Sequence, residues 1–202
     1  TSPTNNSVLT GTFRIVAVAP ADTKNVSFNV SGGCSATYDD LVSSDGWTWD
    51  FISTSSCGSG EYTNVFISAK AFDNVGNSQL FSVSGITIDN DAPEVLVINP
   101  NATTNTTHRA GIVVSANASS DANRVFFEYS PNGGGYWIAL GTDFAGAGGW
   151  NVTFDTGSVA DGADYKIRAN ATDKVGLSSV STMAGNFTID NIGQVTAQIT
   201  VQ

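Results

Sequence analysis

Charge is scarce in this 202-residue chain, and positive charge is scarcest. Lys and Arg together number 8 against 18 Asp and Glu, giving a net charge of −10 and a pI near 4.1. The basic residues are scattered, which excludes the electrostatic footprint of a nucleic-acid binder or of a protein held on an anionic membrane. The single His, His108, lies in the polar run "NATTNTTHRAG". Its isolation removes most His-based metal sites and acid–base schemes, and such surroundings read as a solvated loop. No apolar run is long enough to span a bilayer as a helix, and no stretch carries apolar residues at helical spacing over three turns. There is no initiator Met and no signal-like opening; a first residue of Thr reads as a mature secreted chain or as a piece of a longer one. The paired carboxylates Asp39 and Asp40, and Asp161 with Asp164, fall in Gly- and Ser-rich turns without a companion nucleophile or base. No enzyme and no cofactor are expected.

What the chain does have is a succession of short Val-, Ile-, Phe- and Tyr-bearing runs separated by Gly and Asn. Hydrophobic residues make up 41% of it and Gly occurs 21 times. The runs alternate apolar with polar residues, as strands with one buried face do, so the chain reads as all β. Nine Asn-x-Ser/Thr sequons occur, at Asn5, Asn25, Asn29, Asn101, Asn105, Asn117, Asn151, Asn170 and Asn186. Roughly four would arise by chance. Their phase adds weight: in "NVSFNV", Val26, Phe28 and Val30 point inward, so Asn25 and Asn29 point outward. The same alternation places Asn170, Asn151 and Asn186 outward. N-linked glycans and an extracellular compartment are therefore expected. In that compartment Cys34 and Cys57 pair, the alternative being two buried thiols.

The chain also contains itself twice. "VFISAKAFDNVGN" (65–77) matches "YKIRANATDKVGL" (165–177), "SGITIDN" (84–90) matches "GNFTIDN" (185–191), "GWTWDF" (46–51) matches "GWNVTF" (149–154), and "NVSFNV" (25–30) matches "RVFFEY" (124–129). Each unit of about 100 residues holds the strands a seven-stranded sandwich requires. "DNDAPEV" at Asp89–Val95, the "AKAFD" of 69–73 with Gly76, and the two "TIDN" strings resemble the bacterial and archaeal immunoglobulin-like repeats of cell-surface proteins. The resemblance covers nearly the whole chain and implies two tandem immunoglobulin-like β-sandwiches, at 1–90 and 91–191. It implies little about activity, because that fold hosts many roles.

The two copies are out of step with the chain. The second opens on "DNDAPEVLVINP", whose Val95–Ile98 make a first strand; the first copy starts at "TSPTNNSVLTGTFRIVAVA", which matches only from "NPNATTNTTHRAGIVVSANA" onward. The first sandwich is thus expected to lack its opening strand. After the second copy comes a surplus, "IGQVTAQITVQ" (192–202), in which Val195, Ala197, Ile199 and Val201 alternate with polar residues. The expectation is a donor strand that completes the first sandwich of an identical subunit, generating a head-to-tail filament. Such assembly resembles donor-strand complementation in bacterial pili and in some archaeal surface filaments. Two alternatives stand beside it: a fragment of a longer tandem-repeat surface protein such as an S-layer or adhesin stalk, and a carbohydrate-binding module using Trp47, Trp49, Trp137 and Trp150. Trp47 and Trp150 are in phase with apolar neighbours and read as core, leaving Trp137 and Tyr136 as the aromatic pair to examine. Asp73, Asp89 and Asp91 are the carboxylates a linker calcium would use, although Ile192 replaces Asp91 in the second copy and Asp is commoner in caps and turns.

Overall fold

The computed structural model describes residues 2–101 and 106–192. The chain divides between Asp91 and Ala92 into two compact units, each with its own hydrophobic core. Sequon Asn105 and the strand read at Val195, Ala197, Ile199 and Val201 lie outside the described residues.

In the first unit the elements are β1 (Val8–Leu9), β2 (Thr12–Ala17), β3 (Thr23–Ser31), β4 (Ala36–Asp40), β5 (Trp47–Ile52), β6 (Glu61–Asp73) and β7 (Ser78–Asp89). One sheet runs β1-β7-β6-β3-β4, and the other consists of β2 and β5. The period-two pattern sets which faces meet. Val26, Phe28 and Val30 of β3, Val65 and Ile67 of β6 and Ile86 and Ile88 of β7 are buried against Ile15, Trp47 and Phe51 of the opposite layer. Cys34 and Cys57 are joined by a disulfide, their Cα atoms 4.8 Å apart.

The second unit holds β8 (Val95–Asn99), β9 (Thr107–His108), β10 (Ile112–Ala118), β11 (Arg124–Ser130), β12 (Ile138–Asp143), β13 (Trp150–Phe154), β14 (Gly162–Thr172), β15 (Ser178–Thr182) and β16 (Phe187–Ile189). Its sheets are β13-β10-β8 and β12-β11-β14-β16-β9, with β15 on β14. Val125 and Phe127, Tyr165 to Ala171 in alternation, Phe187 and Ile189 fill its core with Val97, Val114, Trp150 and Phe154. Both units are immunoglobulin-like sandwiches.

The repeat seen in sequence is a repeat of structure. Trp47 faces Ala17 across β5 and β2, and Trp150 faces Ala116 across β13 and β10. Both tryptophans follow a glycine with φ near 80°, a conformation that Gly adopts without the steric penalty a side chain would bring. In β6–β7, Ala69 pairs with Phe81 and Ala71 with Gln79; in β14–β15, Ala169 pairs with Ser181 and Ala171 with Ser179. The turn after each of these long strands is tied by one carboxylate. Asp73 Oδ1 accepts from the backbone N–H groups of Val75 and Asn77, and Asp173 Oδ1 from those of Val175, Gly176 and Leu177.

His108 departs from the sequence expectation. Rather than sitting in a solvated loop, it ends β9, which pairs in parallel with β16, and its ring lies edge-on to Phe187 at 5.6 Å. Partial burial lowers its pKa and favours the neutral imidazole, which shares a 2.8 Å hydrogen bond with Thr106 Oγ1.

Candidate strand-acceptor groove

The two sandwiches differ at a sheet edge. In the second unit β10 is flanked by β13 on one side and by β8 on the other; the register of the latter pairs Val97 with Ala116, Leu96 with Asn117 and Val95 with Ala118. β8 also closes the gap to the facing sheet. Val97 N donates to Ser181 Oγ at 3.4 Å, and Ser179 Oγ donates to the Pro93 carbonyl. Val97 is 8% exposed, whereas the outward Leu96 and Ile98 are 60% and 42% exposed.

Among the described strands of the first unit, β2 pairs with β5 alone. Among the described residues, the other edge of β2 carries a single isolated bridge, from Ser2 to Val16. Where β8 would lie there is a groove of about 320 Å³ between the two sheets. Ile15, Ala17 and Ala19 line one wall, Ala69 and Ala71 the floor, and Phe81 the other wall. The consequence for burial is direct. Ala169 and Ala171 are fully buried, while their counterparts Ala69 and Ala71 are only partly so. Phe81, on the inward-facing side of β7 by its pairing with Ala69, is 63% exposed. Val18, just past β2, is 78% exposed. An apolar groove beside a strand edge that, among the described residues, has no ladder partner past Val16 is the geometry that takes up an extended strand.

The groove-lining Gln79 and Phe81 were not legible as functional from their own stretch of sequence. The available signal was the offset of 100 between the copies, which sets Gln79 and Phe81 against Ser179 and Ser181. Small hydroxyl residues that bond to Val97 of β8 and to Pro93 just before it stand in one unit, and larger side chains in the other.

The other candidate groups find structural roles. Asp73 ends β6 at the turn of the β6–β7 hairpin and Asp89 ends β7 at its open end, on the order of 30 Å apart at the rise of an extended chain. Among the described residues there is no group of three or more His, Cys, Asp or Glu able to hold a metal ion, so Asp73, Asp89 and Asp91 do not form the calcium set considered from sequence. The Asn77 side-chain amide, followed by backbone N–H groups, lowers the pKa of Asp73. Asp40 accepts from Val42 N and Thr48 N, Asp39 from Ser27 Oγ, Asp161 from Asn191 N and Asp164 from Asn186 Nδ2. Trp47 and Trp150 are buried, and the Arg168 guanidinium lies over the Trp137 ring at 4.5 Å while pairing with Glu128. A sugar ring could not stack on that covered face.

The sequons differ in what surrounds them. Asn5, Asn101, Asn117 and Asn151 are exposed, and Asn25, Asn29, Asn170 and Asn186 are half-buried on outward faces. Asn186 Nδ2 donates to Asp164 Oδ1 at 3.0 Å, and Asn170 stands between Phe126 and Val180 in the sheet with its Oδ1 buried. A glycan joins the side-chain nitrogen, so mass spectrometry of natively sourced protein should find Asn117 and Asn25 occupied ahead of Asn170 and Asn186. Bare peptides at all sequons, or glycans confined to Asn170 and Asn186, would contradict this order.

No protein-family model matches the chain, and no curated protein matches it. Among solved structures, the fibronectin(III)-like modules of Clostridium thermocellum CbhA resemble it at 16% identity and a TM-score of 0.46, over 98% of this chain and 97% of that one. A 1.5-MDa bacterial ice-binding adhesin resembles it at 14% identity and a TM-score of 0.49, over 92% of this chain and 61% of that one. A tetra-tandem repeat from the extending region of a large adhesion protein does so at 20% identity and a TM-score of 0.40, over 88% and 43%. The chain thus spans about half the length of those two adhesin structures. Likeness at these levels concerns the shape of the modules and does not extend to what those proteins bind.

Proposed function

We propose that the protein is a structural subunit of an extracellular filament, in which the strand at residues 195–201 of one copy completes the first sandwich of the next. The observation that supports this reading is the groove beside β2, set against the second unit, where the equivalent groove is filled by β8. The tail has the alternation the groove calls for: Val195, Ala197, Ile199 and Val201 on one side, and Thr196, Gln198 and Thr200 on the other. It carries no Lys, Arg or Pro, the usual protection of an unpaired strand edge. Donor and acceptor are different segments of one chain, so a contact between copies is of the head-to-tail kind that propagates. A disulfide and nine sequons suit an extracellular setting.

A second reading has an observation of its own. Ser2 faces Val16 as Asn99, the last residue of β8, faces Ser115, so residues preceding Thr1 in a longer polypeptide would run straight into the groove. The chain would then be one stretch of a tandem-repeat surface protein. Negative-stain electron microscopy and light scattering of the 202-residue chain separate the two. The full chain is expected to form filaments, and the chain truncated after Ile192 to remain monomeric. Adding a peptide of residues 193–202 to the truncated chain should raise the melting temperature of the first unit. A full chain that stays monomeric at all concentrations would leave the tandem-repeat reading in place of the filament.

A further inference from the structure

We infer that Ser2 fixes the register of the incoming strand, so that Ile199 and Val201 take the places that Val95 and Val97 hold in the second unit; this rests on the filament reading above. Two separate observations converge on it. The first is the bridge at the groove's end. Ser2 N donates to Val16 O at 3.3 Å and Val16 N donates to Ser2 O at 2.8 Å, so the edge of Val16 is already taken. What remains open is the edge along Ala17, Val18 and Ala19, the counterparts of Ala116, Asn117 and Ala118. Those three face Val97, Leu96 and Val95 in the second unit. The slot is therefore short, and a strand that reached past the place of Ile98 would meet Ser2.

The second observation is the sequence that fits such a slot. With Val201 in the place of Val97, Ala197 falls at buried Pro93, Gln198 at Glu94 and Ile199 at Val95. Thr200 then falls at the outward Leu96, and Gln202, the last residue, is left to turn outward ahead of Ser2. Each inward position receives a residue of matching character, and each outward one a polar residue. Sliding the strand by two residues keeps the faces correct but brings Val201 onto Ser2. Sliding it by four brings Ile199 onto Ser2 and leaves Ala197 in the place of Val97. In the inferred register Val201 rests against Ala17 and Phe81, as Val97 rests between Ala116 and Ser181, and Phe81 gains the cover it lacks in the open groove.

The register can be read by cross-linking two different full-length chains. One carries Val18→Cys, on the exposed residue that faces the strand's outward positions. The other carries Thr200→Cys, Gln198→Cys or Thr196→Cys. After mixing and mild oxidation, disulfide-linked heterodimers are counted on non-reducing gels and the linked peptides identified by mass. Thr200→Cys is expected to link to Val18→Cys at least about tenfold more than either alternative, because only directly opposed residues bring their Cβ atoms within disulfide reach. Preferential linkage through Gln198→Cys or Thr196→Cys would overturn the register while leaving strand exchange standing. Filaments without any linkage at Val18→Cys would overturn it as well. Chains that stay monomeric and unlinked would instead remove the filament reading on which it depends.

Discussion

Aspartate at Ile199 or Val201 is expected to leave the chain monomeric, whereas aspartate at Gln198 or Thr200 should leave assembly close to that of the unaltered chain. The contrast follows from the place each residue would occupy. Val97 is 8% exposed between the sheets of the second unit, and a carboxylate in the corresponding place of the first unit would be surrounded by Ile15, Ala17, Ala71 and Phe81. None of these side chains offers a donor. Removing a carboxylate from water under those conditions costs at least several kcal/mol, enough to weaken docking by about a thousandfold or more. At the outward places the same substitution meets solvent, as the 60% exposure of Leu96 shows. Because a one-residue slip exchanges the two faces of a strand, the pattern of sensitive and tolerant positions reports the seating directly. Analytical ultracentrifugation of the four variants is the measurement. Equal behaviour of inward and outward substitutions would exclude 195–201 as the docked strand.

Removing the disulfide should have the second large effect, and on one unit only. The Cys34–Cys57 bond links residues 23 apart in the unit whose groove is open, while the second unit has no cysteine and a complete set of strands. In the chain-entropy account, a cross-link closing a loop of that length contributes about 3 kcal/mol, or on the order of 15 °C in midpoint for a domain of this size. Replacing Cys34 and Cys57 together with Ala is thus expected to separate the unfolding of the chain into two transitions, the earlier belonging to the first unit. Calorimetry of the truncated chain, with and without the substitutions, provides the comparison. A transition that does not shift would show that the stability of the first unit does not depend on this bond, and one that shifts as a whole would show that the two units unfold together. The bond and the docked strand act on the same sandwich, so binding of residues 193–202 of a second copy or peptide should restore part of the lost stability.

The architecture was legible in the sequence to the extent that strands with one buried face declare themselves by alternation. Val26, Phe28 and Val30, or Tyr165, Ile167, Ala169 and Ala171, are buried as their spacing indicates. The Gly-Trp pairs located the same strand in both copies, because a positive φ before a buried indole leaves a recognisable dipeptide. The open place beside β2 could be anticipated by comparing the copies, since Val95–Ile98 have no counterpart before Thr12 among residues 2–11. The walls of the groove could not. Phe81 lies in "SQLFSVSG", where Leu80 and Phe81 are both apolar and alternation does not tell inward from outward. Its role comes from the pairing with Ala69 across the sheet, a contact set by register rather than by local pattern. His108 was misread for a related reason: Thr106 and Arg109 make its surroundings polar, and the parallel partner that half-buries it is about 80 residues away.

That parallel pairing has a mechanical consequence. In each unit a short early strand runs beside the last one in the same direction, β1 with β7 and β9 with β16. Thr87 N donates to Ser7 O at 2.9 Å in the first unit, and Thr188 N to Thr106 O at 2.9 Å in the second. Tension applied between the beginning and the end of a unit pulls such strands in opposite senses along their length. The bonds between them are then sheared together and share the load. An antiparallel hairpin pulled at its two ends would instead open one bond at a time. In each sandwich the last of the described strands is thus held beside a parallel partner suited to resist its being drawn out.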